Sequence, residues 1–324
     1  MAQAGNATID TIRDLNTINP GDQQRIADWI EGEVKDLVAD VAAKKPEAFS
    51  SFRSRMETQF THNKNTPAFK TQLAAKMATV AVKELSNPAT HPTVAAAIAR
   101  VLVDMEAEDT IPGLLAALKS SASAARFLGA RGLAALQDAV SKNKSKLAEV
   151  AAALQAAGAS EADPNVLSQI YRALAYRGQV VDVIAAYMAI LDARLTARRP
   201  RPEIADPAEL DVYEFFRMPG AVTSLNADQK AQLVQRLAVF LRLDAQRYDT
   251  PNLSQSEMIK LERTLEGAEA VLSLIVPGKP AVVAEELGKG GKVLSQVYKW
   301  IGDPSTKETG ILNAPPWNVP VGAP

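Results

Sequence analysis

Three segments of this chain align on one register, with their starting positions 31 and 41 residues apart. Taking Val94, Ala125 and Val166 as position 0, leucine recurs at +8, arginine at +6, and isoleucine or glycine at +4. The recurring residues are Leu102, Leu133, Leu174, Arg100, Arg131, Arg172, Ile98, Gly129 and Ile170. Recurrence at this spacing is typical of helical hairpins that stack on one another, because one hairpin cannot bury its apolar face alone. The register therefore predicts stacked hairpins.

The composition supports an all-α fold. Hydrophobic residues make up 47% of the 324 residues, which is enough for a core, whereas aromatic residues make up only 5%. Alanine is abundant between Ala95 and Ala197 and favours helices that approach closely, because it loses no side-chain entropy in a helix. Alternating runs of β-branched residues, which indicate strands, are nearly absent.

Changes in pattern divide the chain into four predicted segments. These are an N-terminal helical cap (1–88), the repeat region (89–199), a C-terminal helical region (200–301) and a proline-rich tail (302–324). Asp22 is the predicted N-cap of the first long helix, and Thr66 is the predicted N-cap of the third. The register does not recur after residue 207, so stacking is predicted only for the repeat region.

The C-terminal tail contains five prolines and cannot be helical. If it docks on the helices, Trp317, Ile311 and Leu312 are its predicted anchors, with Trp317 foremost.

The middle copy of the register resembles a HEAT repeat. Its first helix carries Pro112 and paired leucines, and its second helix carries Arg126 near its start and Leu133 eight positions after Ala125. The flanking copies keep less of the pattern, and the resemblance covers about one third of the chain. It implies a right-handed α-solenoid of the HEAT or armadillo-like kind, with flanking helices and an extended tail.

The three arginines of the register are candidate binding residues. Position +6 lies on the side of a helix opposite the apolar stripe. If the helices stack about 10 Å apart, Arg100, Arg131 and Arg172 form a ladder suited to carboxylate or phosphate groups. The alternative is that they are ordinary solvated surface charges.

A second basic cluster follows the repeats and comprises Arg194, Arg198, Arg199 and Arg201. It is a candidate basic patch, but nearby acidic residues such as Glu209 and Asp211 could pair with it. The favoured interpretation is a structural linker whose charges are neutralised locally.

Other motifs give no catalytic or metal site. The chain has no cysteine, and its two histidines, His62 and His91, flank a predicted helix about 30 Å long. The segment 288–292 (GKGGK) lacks the Ser or Thr and the preceding strand of a phosphate-binding loop, so helix-ending glycines are the favoured interpretation. We therefore predict no metal, no cofactor and no catalytic residue.

Charge and hydropathy limit the kinds of partner that the protein is expected to bind. With 36 basic and 37 acidic residues the net charge is −1, which disfavours a nucleic-acid partner. No apolar run approaches the roughly 20 residues that a membrane span needs. The segment Ala2-Gln3-Ala4 matches the residues before a signal-peptidase cut, so export stays open, although the cytoplasm is slightly favoured.

The sequence thus predicts a non-catalytic interaction or structural scaffold, whose partner is another protein or a second copy of the chain. The alternative is an enzyme or small-ligand-binding protein that uses a groove between the repeats and the C-terminal helices.

Overall fold

A computed structural model of the chain describes residues 9–200, 208–276, 281–289 and 292–323. These residues form fourteen α-helices, two short 3₁₀ helices and no β-strand, which confirms the all-α prediction. The α-helices are α1 (Pro20–Ala42), α2 (Ala48–Thr61), α3 (Pro67–Leu85), α4 (Pro92–Met105), α5 (Ile111–Ala117), α6 (Ser123–Ala135), α7 (Gln137–Ser141), α8 (Lys144–Ser160), α9 (Pro164–Leu174), α10 (Val180–Arg198), α11 (Glu209–Arg217), α12 (Ala227–Tyr248), α13 (Gln255–Ile275) and α14 (Val293–Ile301).

The chain divides into two compact units, Met1–Ala157 and Gly158–Pro324. The boundary falls within α8 and inside the segment predicted as repeats (89–199). The four-segment division stays a prediction.

In the first unit, each helix from α1 to α4 packs against the helix two places further along the chain. Helix α3 contacts α1 and α5, and α4 contacts α2 and α6. Sequential helices such as α5 and α6 also pack together. The helices therefore form two layers, with odd-numbered helices in one and even-numbered helices in the other.

The second unit has the same packing order. Helix α11 contacts α9 and α13, and α12 contacts α10 and α14. The sequence register ends with α9, yet the order continues to α14 because any amphipathic helix can supply the buried stripe. The packing order therefore extends over more helices than the repeated sequence does.

The apolar positions of the register lie in the core. All nine residues at positions 0, +4 and +8 are buried, and they are Val94, Ile98, Leu102, Ala125, Gly129, Leu133, Val166, Ile170 and Leu174. Burying one leucine side chain stabilises the fold by roughly 1.5–3 kcal/mol. The guanidinium of Arg126 donates to the carbonyl oxygens of Ser120 (3.0 Å) and Ser121 (3.0 Å), so it fixes the turn between α5 and α6.

Helix starts follow side-chain caps. Thr66 caps α3 as predicted, its hydroxyl accepting from the Phe69 amide at 3.2 Å. The prediction for the first long helix was wrong by three residues. Its N-cap is Asn19, and Asp22 is the third helical residue, which bonds back to the Asn19 amide in a capping box.

The C-terminal tail packs on the second unit. Leu312 and Val319 are buried, and the Asn313 amide donates to the carbonyl oxygens of Ile301 (3.0 Å) and Val319 (2.8 Å). Trp317 is only half-buried, and its carbonyl oxygen accepts from Gln235 at 3.2 Å. Leu312, rather than Trp317, is the more deeply buried of the predicted anchors.

Replacing Gly129 with alanine is expected to destabilise the first unit by about 1–2 kcal/mol. A Cβ atom there would lie 2.9 Å from both Ala117 Cβ and the Leu114 carbonyl oxygen, so α5 would have to shift. The gain in helix propensity, about 0.5–1 kcal/mol, is smaller. Gly32→Ala is the matched control, because nothing lies within 4 Å of its added Cβ, and it is expected to stabilise. Urea unfolding of both variants measures the difference, and equal effects would contradict the close packing.

Glu257 is expected to make the fold sensitive to acid. Hydrogen bonds from Ser254, followed by the contact with Arg247, lower its pKa from 4.5 to about 2. Because the folded pKa is below the unfolded one, this contribution is present above about pH 4.5 and is lost as the pH falls towards 2. Glu257→Gln should therefore reduce the slope of unfolding free energy against pH in this range. Glu266→Gln, at an exposed position of the same helix, should leave the slope nearer to that of the wild type.

Candidate functional site

The three register arginines have different surroundings. Arg100 and Arg131 belong to the first unit and Arg172 to the second. Arg100 is half-buried and lies 2.9 Å from Asp104, whose other carboxylate oxygen accepts from Arg53 at 2.7 Å. Arg131 is exposed and makes no ion pair with any described residue.

Arg172 is exposed but already paired. Its Nε donates to Asp211 Oδ1 at 2.8 Å, and this hydrogen bond raises the pKa of the guanidinium. Ser168 donates to the other oxygen of Asp211. Of the three arginines, Arg131 is thus the one whose charge no described residue offsets.

The structure corrects the candidate basic patch at two positions. Arg194 and Arg198 are buried and ion-paired, so they offer no surface to a ligand. Arg199 is exposed, and Arg201 lies outside the described residues. Arg194 and Arg198 are four residues apart in α10 and so lie on the same buried side of the helix, whereas Arg199 follows its last residue. The sequence presents them as one run.

The buried arginines belong to an interior ion cluster in the second unit, which comprises Arg194, Arg198, Glu209, Tyr213 and Asp244. Arg198 donates to Asp244 at 2.6 Å, and Arg194 donates to Glu209 at 3.0 Å. Burial by itself lowers the pKa of Arg198, but Asp244 and Glu209 outweigh that effect and raise the pKa above its ordinary value. Burial, followed by the nearby carboxylates, raises the pKa of Tyr213 well above its ordinary value.

The interior ion cluster joins three helices, because its members come from α10, α11 and α12. The Arg198 guanidinium also lies 5.5 Å from the centroid of the Phe240 ring, which adds a cation–π contact. The charges face one another inside the core, so the cluster acts on stability and orientation of the helices rather than on a ligand.

A second buried carboxylate, Glu269, is satisfied entirely by protein donors. It accepts from the amides of Val283 (2.8 Å) and Ala284 (2.8 Å) and from the indole Nε1 of Trp300 (2.9 Å). These bonds attach the segment 281–289 and α14 to α13. A carboxylate held in this way positions the backbone and has no lone pair directed at a substrate.

A protein carboxylate lies where a phosphate bound at segment 288–292 would have to bind. The carboxylate of Asp249 accepts from the amides of Val293 (3.0 Å) and Leu294 (3.0 Å) at the N-terminus of α14. A carboxylate thus occupies the place where a phosphate would bind. Gly288 adopts a left-handed conformation at φ +75° in a turn rather than at the end of a helix, and residues 290 and 291 lie outside the described residues.

Two open grooves flank α3 in the first unit. The α1–α3 groove has a volume of about 530 Å³ and is lined by Asp28, Glu31, Gly32, Val34, Lys35, Val38, Val80, Lys83 and Glu84. The α3–α8 groove has a volume of about 760 Å³ and is lined by Ala75, Ala78, Thr79, Val82, Glu108, Asp109, Ile111, Pro112, Lys146 and Glu149. Both have an apolar floor and charged rims.

The second unit contains a smaller cleft that no sequence prediction anticipated. It has a volume of about 290 Å³ and lies between the α9–α10 and α11–α12 connections. Its lining residues are Arg177, Gly178, Val180, Phe215, Met218, Pro219, Gly220, Ala221 and Ser224. We call it the Arg177 cleft, because Arg177 is the one charged residue in its lining.

Within the described ranges, no three histidine, aspartate or glutamate side chains are grouped as metal ligands. In the same ranges, no helix combines the length and the apolar character that crossing a bilayer requires.

No protein-family model, curated protein sequence or solved structure matches this chain. The functional inferences below therefore depend on the contacts and charges of this chain alone.

Arg198→Leu or Asp244→Leu is expected to destabilise the protein by about 3–5 kcal/mol, because each change leaves a buried charge without its main partner. The double variant should lose less than the sum of the two. A double-mutant cycle by chemical unfolding measures the coupling. The matched pair is Arg236 and Asp192, which also joins α12 to α10 at 2.6 Å but lies at the surface, where Asp192 is 54% exposed, with an expected coupling below about 1 kcal/mol. Equal coupling in the two cycles would contradict a role for burial.

Proposed function

We propose that this protein is a non-catalytic interaction scaffold whose units are HEAT-like, right-handed α-solenoids. The observation that supports this most is the packing of helices against the helix two places along, which holds from α1 to α6 and again from α9 to α14. Stacked hairpins bury a continuous core and leave long helical faces free to bind another molecule. The buried leucines of the register fit the same arrangement.

The binding surface proposed in the first unit is formed by the α1–α3 and α3–α8 grooves. Val38 and Val82, one in each groove, expose 44% and 38% of their surface. Apolar side chains beside a charged rim are typical of interfaces, where the apolar centre supplies affinity and the rim supplies specificity.

The charges of the two grooves favour a basic partner. Three carboxylates and two lysines line the α1–α3 groove, and three carboxylates and one lysine line the α3–α8 groove. The single lysine of the second groove, Lys146, is already paired with Glu108. The excess of negative charge would attract lysine- or arginine-rich segments and would weaken with added salt.

The second candidate function, from a different class, is binding of a small ligand. The Arg177 cleft favours it, because a concave apolar surface with one charged group is the usual form of a ligand site. The sequence analysis expected a ligand site in a groove between the repeats and the C-terminal helices. The Arg177 cleft is at a different place and lies wholly in the second unit.

Site-specific photocrosslinking tests the scaffold proposal. A photoreactive residue is placed at Val38 or Val82, and as a matched control at Ser54, which is exposed on α2 and lines neither groove. In the cells that make this protein, we expect one adduct to form from both groove positions and not from Ser54. With the photoreactive residue at Val82, the added substitution Val38→Glu should reduce that adduct about tenfold, because binding would then bury the charge of the glutamate.

The adduct's mass distinguishes a second copy of the chain from another protein. Equal adducts at all three positions, or none at any, would contradict the groove surface. Arg131→Glu tests the remaining free arginine of the register in the same assay, with Arg172→Glu as the paired-arginine control.

A further inference from the structure

Two glycines in left-handed conformations line the Arg177 cleft. Gly178 lies at φ +76° and Gly220 at φ +87°, where other residues are strained. Nothing lies within 4 Å of the position that a Cβ atom would take at either glycine. The space beside both turns is therefore unfilled by the chain itself.

The walls of the cleft are apolar. Phe215, Val180 and Ala221 are buried core residues whose outer surfaces line it, and Met218 is half-buried. Val181, which follows Val180, exposes 56% of its surface, more than the other exposed large apolar residues of the described chain. Transfer of an apolar group from water into the cleft would therefore be favourable.

The charge of the cleft selects an anion. Arg177 is exposed and makes no ion pair with a described residue. Helix α10 starts at the lining residue Val180 and is 19 residues long. The partial positive charge of that helix end adds to the guanidinium. Asp182, also in the first turn, is the opposing charge on this helix.

We propose that the Arg177 cleft binds the C-terminal residue of a partner polypeptide, with a large apolar side chain in the cleft and the terminal carboxylate on Arg177. The guanidinium would donate to both carboxylate oxygens. The choice of a polypeptide as the source of the carboxylate rests on the scaffold function proposed above.

The size of the cleft supports one side chain rather than a larger free ligand. Its volume of about 290 Å³ lies at the lower limit of ligand sites, which run from roughly 300 to 1,000 Å³. Arginine and methionine at the centre of an apolar patch are also enriched at protein interfaces.

Fluorescence polarisation with the full chain tests the proposal. The probe is an N-terminally labelled Gly-Ser-Gly-Ser-Leu peptide with a free C-terminal carboxylate, and its comparison is the same peptide with a C-terminal amide. We expect the acid to bind and the amide to bind at least about tenfold more weakly, because the amide removes the charge that Arg177 pairs with.

Two pairs of variants locate the binding. Arg177→Ala should weaken binding of the acid about tenfold, whereas Arg217→Ala, an exposed arginine outside the lining, should not. Ser224→Trp should fill the cleft and abolish binding. Thr223→Trp is its control, because Thr223 is also exposed and bonds to the same Gly220 oxygen but does not line the cleft. Unchanged melting temperatures show that each variant is folded.

Binding of both peptides alike, or of neither, overturns the proposal. Octanoate competes in a separate arm, and binding of octanoate without the peptide acid shows that a free amphiphilic acid is the ligand and also overturns it. The photocrosslinking at Val38 and Val82 separates the two proposals. Groove adducts with a cleft that binds no peptide reject only this inference, whereas peptide binding without groove adducts rejects only the groove surface.

Discussion

Most long helices described in this protein pack against the helix two places along the chain, and the rest of the structure depends on that contact. A helix of 14 to 23 residues is marginal alone, because the packing of its apolar face supplies most of its stability. Alternate pairing in both units lets every hairpin contribute one helix to each layer. Close approach then requires small residues at crossings, which is why Gly129 takes the place of isoleucine in the register.

Local patterns predicted the parts of the fold that are determined locally. The apolar spacing located the leucines of the core, and Thr66 marked a helix start, because a cap involves residues only three apart. The same logic misplaced the first cap, since Asn19 and Asp22 form one reciprocal box and either residue type can be the cap. The register does not recur after residue 207, so it could not predict the packing order of the later helices. This order depends on an apolar stripe and not on a particular sequence.

The charged interior could not be predicted, because its partners are distant in the sequence. Arg198 and Asp244 are 46 residues apart, and each taken alone looks like a surface residue of an amphipathic helix. The Arg177 cleft was missed for a related reason. Its lining comes mainly from two connections about 40 residues apart, and it includes Gly178 and Gly220, both in left-handed conformations. Glycine in a loop predicts a turn but not a cavity.

The arginines show how such a fold separates stability from function. A guanidinium already held by a carboxylate, as at Arg198 or Arg172, contributes to the joining of helices, and a ligand could recruit it only by displacing that carboxylate. An exposed guanidinium without such a partner, as at Arg131 or Arg177, is hydrated and can bind an anion without displacing a carboxylate. Arg131 lies on a helix face, where solvent surrounds an anion, whereas Arg177 lines an apolar cleft that would exclude water from the same contact. Because charge-assisted bonds strengthen as water is excluded, the cleft is where one arginine can contribute most to recognition.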